Sequence, residues 1–116
     1  MTTKLQVVGG GKMGEALLRG LVADGWATAD QLHVAEPDAP RREDLHAAVP
    51  GLSVGPDPVA GTDTLIAVKP DVVPAVCEAL VVLGVTRVLS IAAGVRLATF
   101  ESILGDGVPV VRAMPN

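Results

Sequence analysis

The sequence predicts an α/β protein built on a doubly wound parallel sheet of about six strands, and three observations lead there. Short apolar runs alternate with helical patterns six times along the chain. The runs are bounded by Gly, Pro and Asp, as buried parallel strands are. The composition is 49% hydrophobic but only 2% aromatic, so Val, Leu, Ile and Ala must build the core, and these suit a sheet covered by helices on both faces. At 116 residues the chain is expected to form one domain spanning 1–116, long enough to bury about two-thirds of its unfolded surface.

The first strand is expected at Leu5–Val8 and the second at Leu32–Ala35. Between them Met13, Leu17 and Leu21 recur every four residues and predict one helical face. Glu15 and Arg19 form an i,i+4 ion pair on the exposed side, and Gly25 supplies the stop. Asp38 is the expected cap of a second helix, with Pro40 in its first turn, running through Leu45. Further strands are expected at 52–54, 64–68, 87–91 and 108–112, with helices over 71–83 and through Leu97, Phe100 and Leu104. Short connections between alternating strands and helices imply right-handed crossovers and the strand order 3-2-1-4-5-6. The chain stops at Met114-Pro115-Asn116, directly after the sixth strand, so it is expected to be a fragment. Without a covering helix some of Val108, Val110 and Val111 should be exposed.

The first strand runs straight into Gly9-x-Gly11-x-x-Gly14. Gly9 is expected to make the tight turn, Gly11 to let the main chain approach a pyrophosphate, and Gly14 to let the next helix lie close to the strand. The helix N-terminus then offers unpaired N–H groups and a partial positive charge to an anion. A strand before the glycines and an acid, Glu36, after the second strand make this the context of a Rossmann-type, dinucleotide-binding domain.

Glu36 stands where an acid accepts the adenosine ribose hydroxyls, and a carboxylate there repels a 2′-phosphate. Arg41 and Arg42 follow; they either offset that repulsion by pairing with the phosphate or form a solvated helix face. Val68-Lys69-Pro70 falls at the carboxyl edge of the sheet, and Pro70 forces the chain to turn there. Lys69 reaches a ribose hydroxyl or a phosphate, or is simply a surface lysine. The small residues of Ser90-Ile91-Ala92-Ala93-Gly94 permit close approach to a flat ring such as nicotinamide, or make a tight turn that needs no ligand.

Other chemistries lack support. Nine basic against thirteen acidic side chains give a net charge of −4, which argues against nucleic acid or an acidic membrane as partner. No run of 18 apolar residues occurs, and the N-terminus does not read as a signal peptide. The single cysteine, Cys77, allows no intrachain disulfide and fits a cytoplasmic protein; its helical neighbours Val76, Ala79 and Leu80 mark it as core. His33 and His46 have no carboxylate or thiolate at ligand spacing, so no metal site is expected.

The segments VVGGGKMGEALLRGL, AVKP, SIAAGV and VRAMPN, in this order and spacing, resemble the N-terminal half of pyrroline-5-carboxylate reductases. The resemblance covers essentially the whole chain. It implies reduction of the C=N bond of 1-pyrroline-5-carboxylate to L-proline with NADH or NADPH, the last step of proline biosynthesis. It also implies a helical domain, absent here, that dimerises and holds the substrate, so a homo-oligomer is expected only of the full-length enzyme. Cofactor contacts implied by the matching motifs fall on Gly9, Gly10, Gly11, Lys12, Met13 and Gly14, on Ala67, Val68, Lys69 and Pro70, on Ile91, Ala92 and Ala93, and on Asn116. Position 12 is commonly Asn in the family and is Lys here. Many members end the second strand in small polar residues suited to NADPH, whereas Glu36 favours NADH. No catalytic side chain is assigned. The competing readings are another oxidoreductase with this cofactor domain, of the β-hydroxyacid or deazaflavin-dependent type, and a non-catalytic NAD(H)-binding module.

Overall fold

The computed structural model describes residues 3–113. Six strands, β1 (Leu5–Val8), β2 (Leu32–Ala35), β3 (Ser53–Gly55), β4 (Thr64–Ile66), β5 (Val88–Ser90) and β6 (Val110–Arg112), form one sheet in the order β3-β2-β1-β4-β5-β6. Every neighbouring pair is parallel. Four helices connect them: α1 (Lys12–Ala23), α2 (Ala39–Ala48), α3 (Val73–Leu83) and α4 (Leu97–Leu104). The expected architecture and strand order are therefore borne out. The later strands differ from expectation in their bounds: β3 keeps its length one residue further on, β4 ends at Ile66, β5 loses a residue at each end, and β6 begins only at Val110. After β4 one further bond, Ala67 N–H to the Val8 carbonyl at 2.8 Å, is made before the chain turns into a 3₁₀ segment at Pro70–Val72.

Because side chains alternate across a strand, the sheet has two apolar faces and builds two cores. One holds Val7, Leu32, Val34 and Leu65 under Leu18 of α1 and Leu45 of α2. The other holds Val8, Ala35, Ile66 and Val88 under Val73, Cys77 and Leu80 of α3 and Phe100 and Leu104 of α4. Cys77 is buried, and desolvation pushes its thiol up to about 11, so it stays protonated and acts as a small apolar side chain.

The helix ends follow local chemistry. The Asp38 carboxylate accepts the Arg41 N–H at 3.1 Å and caps α2, with Pro in its first turn. Past α1, Gly25 takes φ +81°, which lets its N–H and that of Trp26 close the helix end on the Val22 and Leu21 carbonyls. The expected Glu15–Arg19 pair is present at 3.1 Å. The expected face of α1 needs correcting. The buried positions are Gly14 and Leu18; Leu17 and Leu21 are half-buried, and Met13 is 47% exposed at the carboxyl edge. The helix lies so close to β1 that its line of contact runs through a glycine, which a search for large apolar residues overlooks.

The β3–β4 connection, residues 56–63, has no helix and crosses the sheet as irregular chain. Beneath it the strands carry buried polar residues, Gln6, His33 and Thr64. Val111 on the edge strand β6 is 60% exposed, while Val108 and Val110 are half-buried. Among the described residues no helix is long and apolar enough to cross a membrane.

The two glycines inside α1 face opposite surroundings. A Cβ on Gly14 would press on the carbonyl oxygen of Gly9, well inside van der Waals contact, whereas a Cβ on Gly20 meets nothing within 4 Å. Gly14→Ala is therefore expected to cost about 1–3 kcal/mol by overpacking, seen in thermal denaturation as a Tm lower by roughly 5–15 °C. Gly20→Ala should instead stabilise by about 0.5–1 kcal/mol, through lost unfolded-state freedom. Equal effects from the two changes would contradict the close approach of α1 to the glycine loop.

Candidate functional site

At the carboxyl ends of β1, β2 and β4 lies a cleft of about 480 Å³. The sheet order reverses between β1 and β4, and open α/β sheets bind ligands at such a switch point. One end of the cleft is formed by Val8, Gly9 and Gly11. Glu36 and Pro37 line one side, Ala67, Val68 and Lys69 another, and Pro56 and Pro58 of the crossover stand with Ala75 and Ala79 of α3.

The backbone groups of the glycine loop divide into those already bonded and those left over. Gly9 takes φ +107°, and a Cβ there would lie 2.8 Å from the Ala67 main chain. Its N–H donates to the Ala35 carbonyl at 2.9 Å. The Gly10 N–H donates to Glu36 Oε1 at 2.9 Å, and the Gly10 carbonyl accepts from Arg41 Nε at 2.5 Å. The Gly11 carbonyl takes the Glu15 N–H at 2.9 Å, the first bond of α1. What remains is the first turn of α1, Lys12, Met13 and Gly14, whose N–H groups have no intrahelical acceptor, and Gly11 as N-cap makes no side-chain cap. A Cβ on Gly11 would meet nothing within 4 Å. The open side of the loop thus presents unmatched donors at the positive end of a 12-residue helix, which fits an anion such as a pyrophosphate.

Glu36 does more than the sequence suggests. Its second oxygen accepts the Asp38 N–H at 2.9 Å, so the carboxylate ties the end of β2 to Gly10 while still facing the cleft. Each oxygen keeps acceptor capacity for a hydroxyl. Gly10, an unconstrained position of the glycine motif, proves tightly packed, since a Cβ would come within 2.6 Å of Leu45 Cδ1 and 3.1 Å of Glu36 Cβ.

Arg41 and Arg42 do not form the solvated helix face that is one of the two expectations for them. They are half-buried and serve the main chain. Arg41 Nη2 reaches Glu15 Oε1 at 2.9 Å, so that one guanidinium bridges the loop and α1. Arg42 Nη1 donates to the carbonyls of Glu36 and Pro37, both at 2.8 Å. Sequence spacing does not reveal this, because the acceptors are backbone carbonyls.

Of the other expected site residues, Lys69 is exposed at the cleft with Ala67 and Val68 half-buried beside it, and Pro70 opens the 3₁₀ segment. Ile91, Ala92 and Ala93 lie one strand further along the same edge, outside the cleft. The Ile91 N–H bonds the Ile66 carbonyl at 3.0 Å and the Ala92 N–H bonds Ser90 Oγ at 3.2 Å, while Ala93 is exposed. Asn116 lies outside the described residues. Sequence reasoning missed Pro56, Pro58, Ala75 and Ala79. A usable signal is present at α3, where Val72 at the N-cap, Val76 and Ala79 form a second apolar stripe beside the core stripe of Val73, Cys77 and Leu80. Among the described residues no group of three or more His, Cys, Asp or Glu side chains could hold a metal ion.

Fold and loop together define a dinucleotide-binding domain of the Rossmann class. The chain belongs to the family described as NADP oxidoreductase, coenzyme F420-dependent, which matches residues 4–94. It is 39% identical, over 97% of its length, to a pyrroline-5-carboxylate reductase of Methanosarcina acetivorans, bearing out the resemblance seen in the sequence motifs. A solved pyrroline-5-carboxylate reductase from Coxiella burnetii superposes on the whole chain with a TM-score of 0.87 at 29% identity. That of Plasmodium falciparum, solved with NADP bound, superposes on 98% of the chain with a TM-score of 0.76 at 22% identity and shares the fold. The chain spans less than half the length of these proteins, 44%, 45% and 42% respectively.

The tie between Glu36 and the loop has a consequence without any ligand. In Glu36→Gln one end of the side chain becomes a donor, facing either the Gly10 or the Asp38 N–H. The expected loss is about 1–3 kcal/mol of folding stability, the range for a polar group left unmatched. Urea denaturation of the 116-residue chain measures it, and an unchanged midpoint would contradict the structural role of the carboxylate.

Proposed function

We propose that the chain is the cofactor-binding domain of a pyrroline-5-carboxylate reductase, reducing 1-pyrroline-5-carboxylate to L-proline with NADH or NADPH. The observation that carries this reading is the 39% identity to the Methanosarcina acetivorans enzyme over 97% of the chain. The geometry supports it, since unmatched helix N–H groups face a cleft with Glu36 at one side and Lys69 at another.

In this reading the N–H groups of Gly11, Lys12, Met13 and Gly14 hold the pyrophosphate, and Gly9 and Gly10 shape the loop behind them. Glu36 accepts the hydroxyls of the adenosine ribose. Ala67, Val68, Lys69 and Pro70 border the nicotinamide half, with Lys69 reaching a ribose hydroxyl or phosphate; Ile91, Ala92 and Ala93 flank the ring, and Asn116 joins them by resemblance. When bound, the reduced nicotinamide supplies a hydride to the imine carbon. The domain's own part is orientation and the fixing of charge around the cofactor. Substrate groups and homo-oligomer contacts belong to the portion of the relatives beyond the matched half. The same reading assigns the protein to the cytoplasm, where a free Cys77 stays reduced.

The cofactor preference we propose is NADH. A 2′-phosphate would stand beside the Glu36 carboxylate, and at ~4 Å and an effective dielectric of ~20 each charge pair costs about 4 kcal/mol before screening. Arg41 and Arg42, the cations that would compensate, are engaged with backbone carbonyls and Glu15. The family description and the Plasmodium falciparum structure both name NADP, so the proposal depends on Glu36 in this chain. A second reading, a deazaflavin-type oxidoreductase on the same domain, is favoured by the coenzyme named in the family description.

Calorimetric titration of the 116-residue chain tests the site. NADH is expected to bind at least tenfold more tightly than NADPH. Gly11→Val should abolish binding of both while costing at most about 1 kcal/mol of stability as a helix-cap change. Adding pyrroline-5-carboxylate should give no turnover with this chain alone, because the positioning of substrate that is worth about 7–11 kcal/mol comes from elsewhere. Tighter NADPH binding would overturn the preference. Proline formed at a rate within about a hundredfold of a typical kcat near 10 per second would show that this domain carries its own substrate site.

A further inference from the structure

Gln6 sits at the centre of β1 with no exposed surface, a position where a parallel strand normally carries an apolar residue. Its amide is matched to the chain crossing above it. Oε1 accepts the Val59 N–H at 2.8 Å, and Nε2 donates to the Val59 carbonyl and to Thr64 Oγ1, both at 2.9 Å. Thr64 Oγ1 in turn donates to the Thr62 carbonyl at 3.1 Å. His33, buried on β2, completes the set. Its Nδ1 accepts from the Ser53 hydroxyl at 2.8 Å, and its Nε2–H donates to the Asp57 carbonyl at 3.3 Å.

The reason is a backbone shortage. A helical crossover would satisfy its own N–H and C=O groups, but residues 56–63 form no helix. Laid against the sheet, that chain needs partners from below, and Gln6 offers the acceptor and donor that one residue's main chain requires. The same crossover brings Pro56 and Pro58 to the cleft wall, each within three residues of Val59.

We propose that Gln6 is a positioning residue for the cofactor cleft: its buried amide, with His33 beside it, holds the helix-free crossover so that Pro56 and Pro58 stand against the adenosine end of the dinucleotide. The inference rests on the cofactor reading above and adds to it a residue that touches no ligand. Anchoring Val59 fixes the width of the cleft at its adenosine end and leaves the pyrophosphate end, at the start of α1, untouched.

The test separates the two ends of the cleft. The 116-residue chain and its Gln6→Met variant, which keeps side-chain length and removes every polar atom, are titrated with AMP and with inorganic pyrophosphate by NMR. The variant is expected to bind AMP about tenfold more weakly and pyrophosphate within about twofold of the original, with faster hydrogen exchange at the Val59 amide. Thr64→Val, which removes one anchor of the Gln6 amide and suits a strand, should weaken AMP selectively but by less, and it decides the matter if Gln6→Met does not fold. Unchanged AMP affinity would overturn the inference, and so would an equal loss for both probes, which marks a general loosening. An unaltered chain that takes up neither probe would sink the cofactor reading itself, and this inference with it.

Discussion

The contact on which the rest of this structure depends is the seating of α1 against the glycine loop. Gly14 lies so close to the Gly9 carbonyl that no side chain fits between them. That approach places Leu18 in one core with Val7 and Val34 and sets the start of α1, at Gly11, beside the cleft at the carboxyl edge. The same loop is pinned from the other side, where the Gly9 Cα faces the Ala67 main chain with no room for a methyl group. A helix dipole and a row of unmatched N–H groups are useful to an anion only if they are held still. Here they are held by backbone contacts that glycine alone permits.

Polar side chains then do work that secondary structure does elsewhere. Glu36 and Arg41 take the N–H and the carbonyl of Gly10, and Arg42 takes two carbonyls at the exit of β2. Gln6 and His33 do the same for the helix-free crossover. Each case gives a partner to a backbone group that no helix or strand matches; the bonds to Gly10, Glu36, Val59 and Asp57 are partly buried, and the one to Pro37 is exposed. The glycine loop and the crossover that wall the cleft are in consequence held by polar side chains, of which Glu36 lines the cleft and Arg41, Arg42, Gln6 and His33 do not.

The sequence announces the sheet order and helix positions because both follow from local patterns. Apolar runs bounded by Gly and Pro mark the strands, and Asp38 before Pro40 marks the start of α2. The glycine motif is legible for the same reason, each glycine having a steric role that spacing reveals. What was not legible is pairing over long sequence distance. The bonds from Glu36 to Gly10 and from Gln6 to Val59 span 26 and 53 residues and leave no periodic trace. A hydrophobic pattern misplaces the buried face of α1 because Gly14, the residue of closest contact, contributes nothing to it. Pro56 and Pro58 read as loop punctuation, and only the topology brings them to the cleft.

The central claim is that a dinucleotide lies across the carboxyl edge with its pyrophosphate on the start of α1. Backbone amide NMR of the isotope-labelled 116-residue chain during an NADH titration tests it most directly. The account predicts saturable shifts largest at Gly11, Lys12, Met13 and Gly14, with further shifts at Glu36 and Lys69, and none at Asp63, Thr64 or Arg87 on the opposite edge. Shifts centred on that opposite edge, or none that saturate, would contradict it.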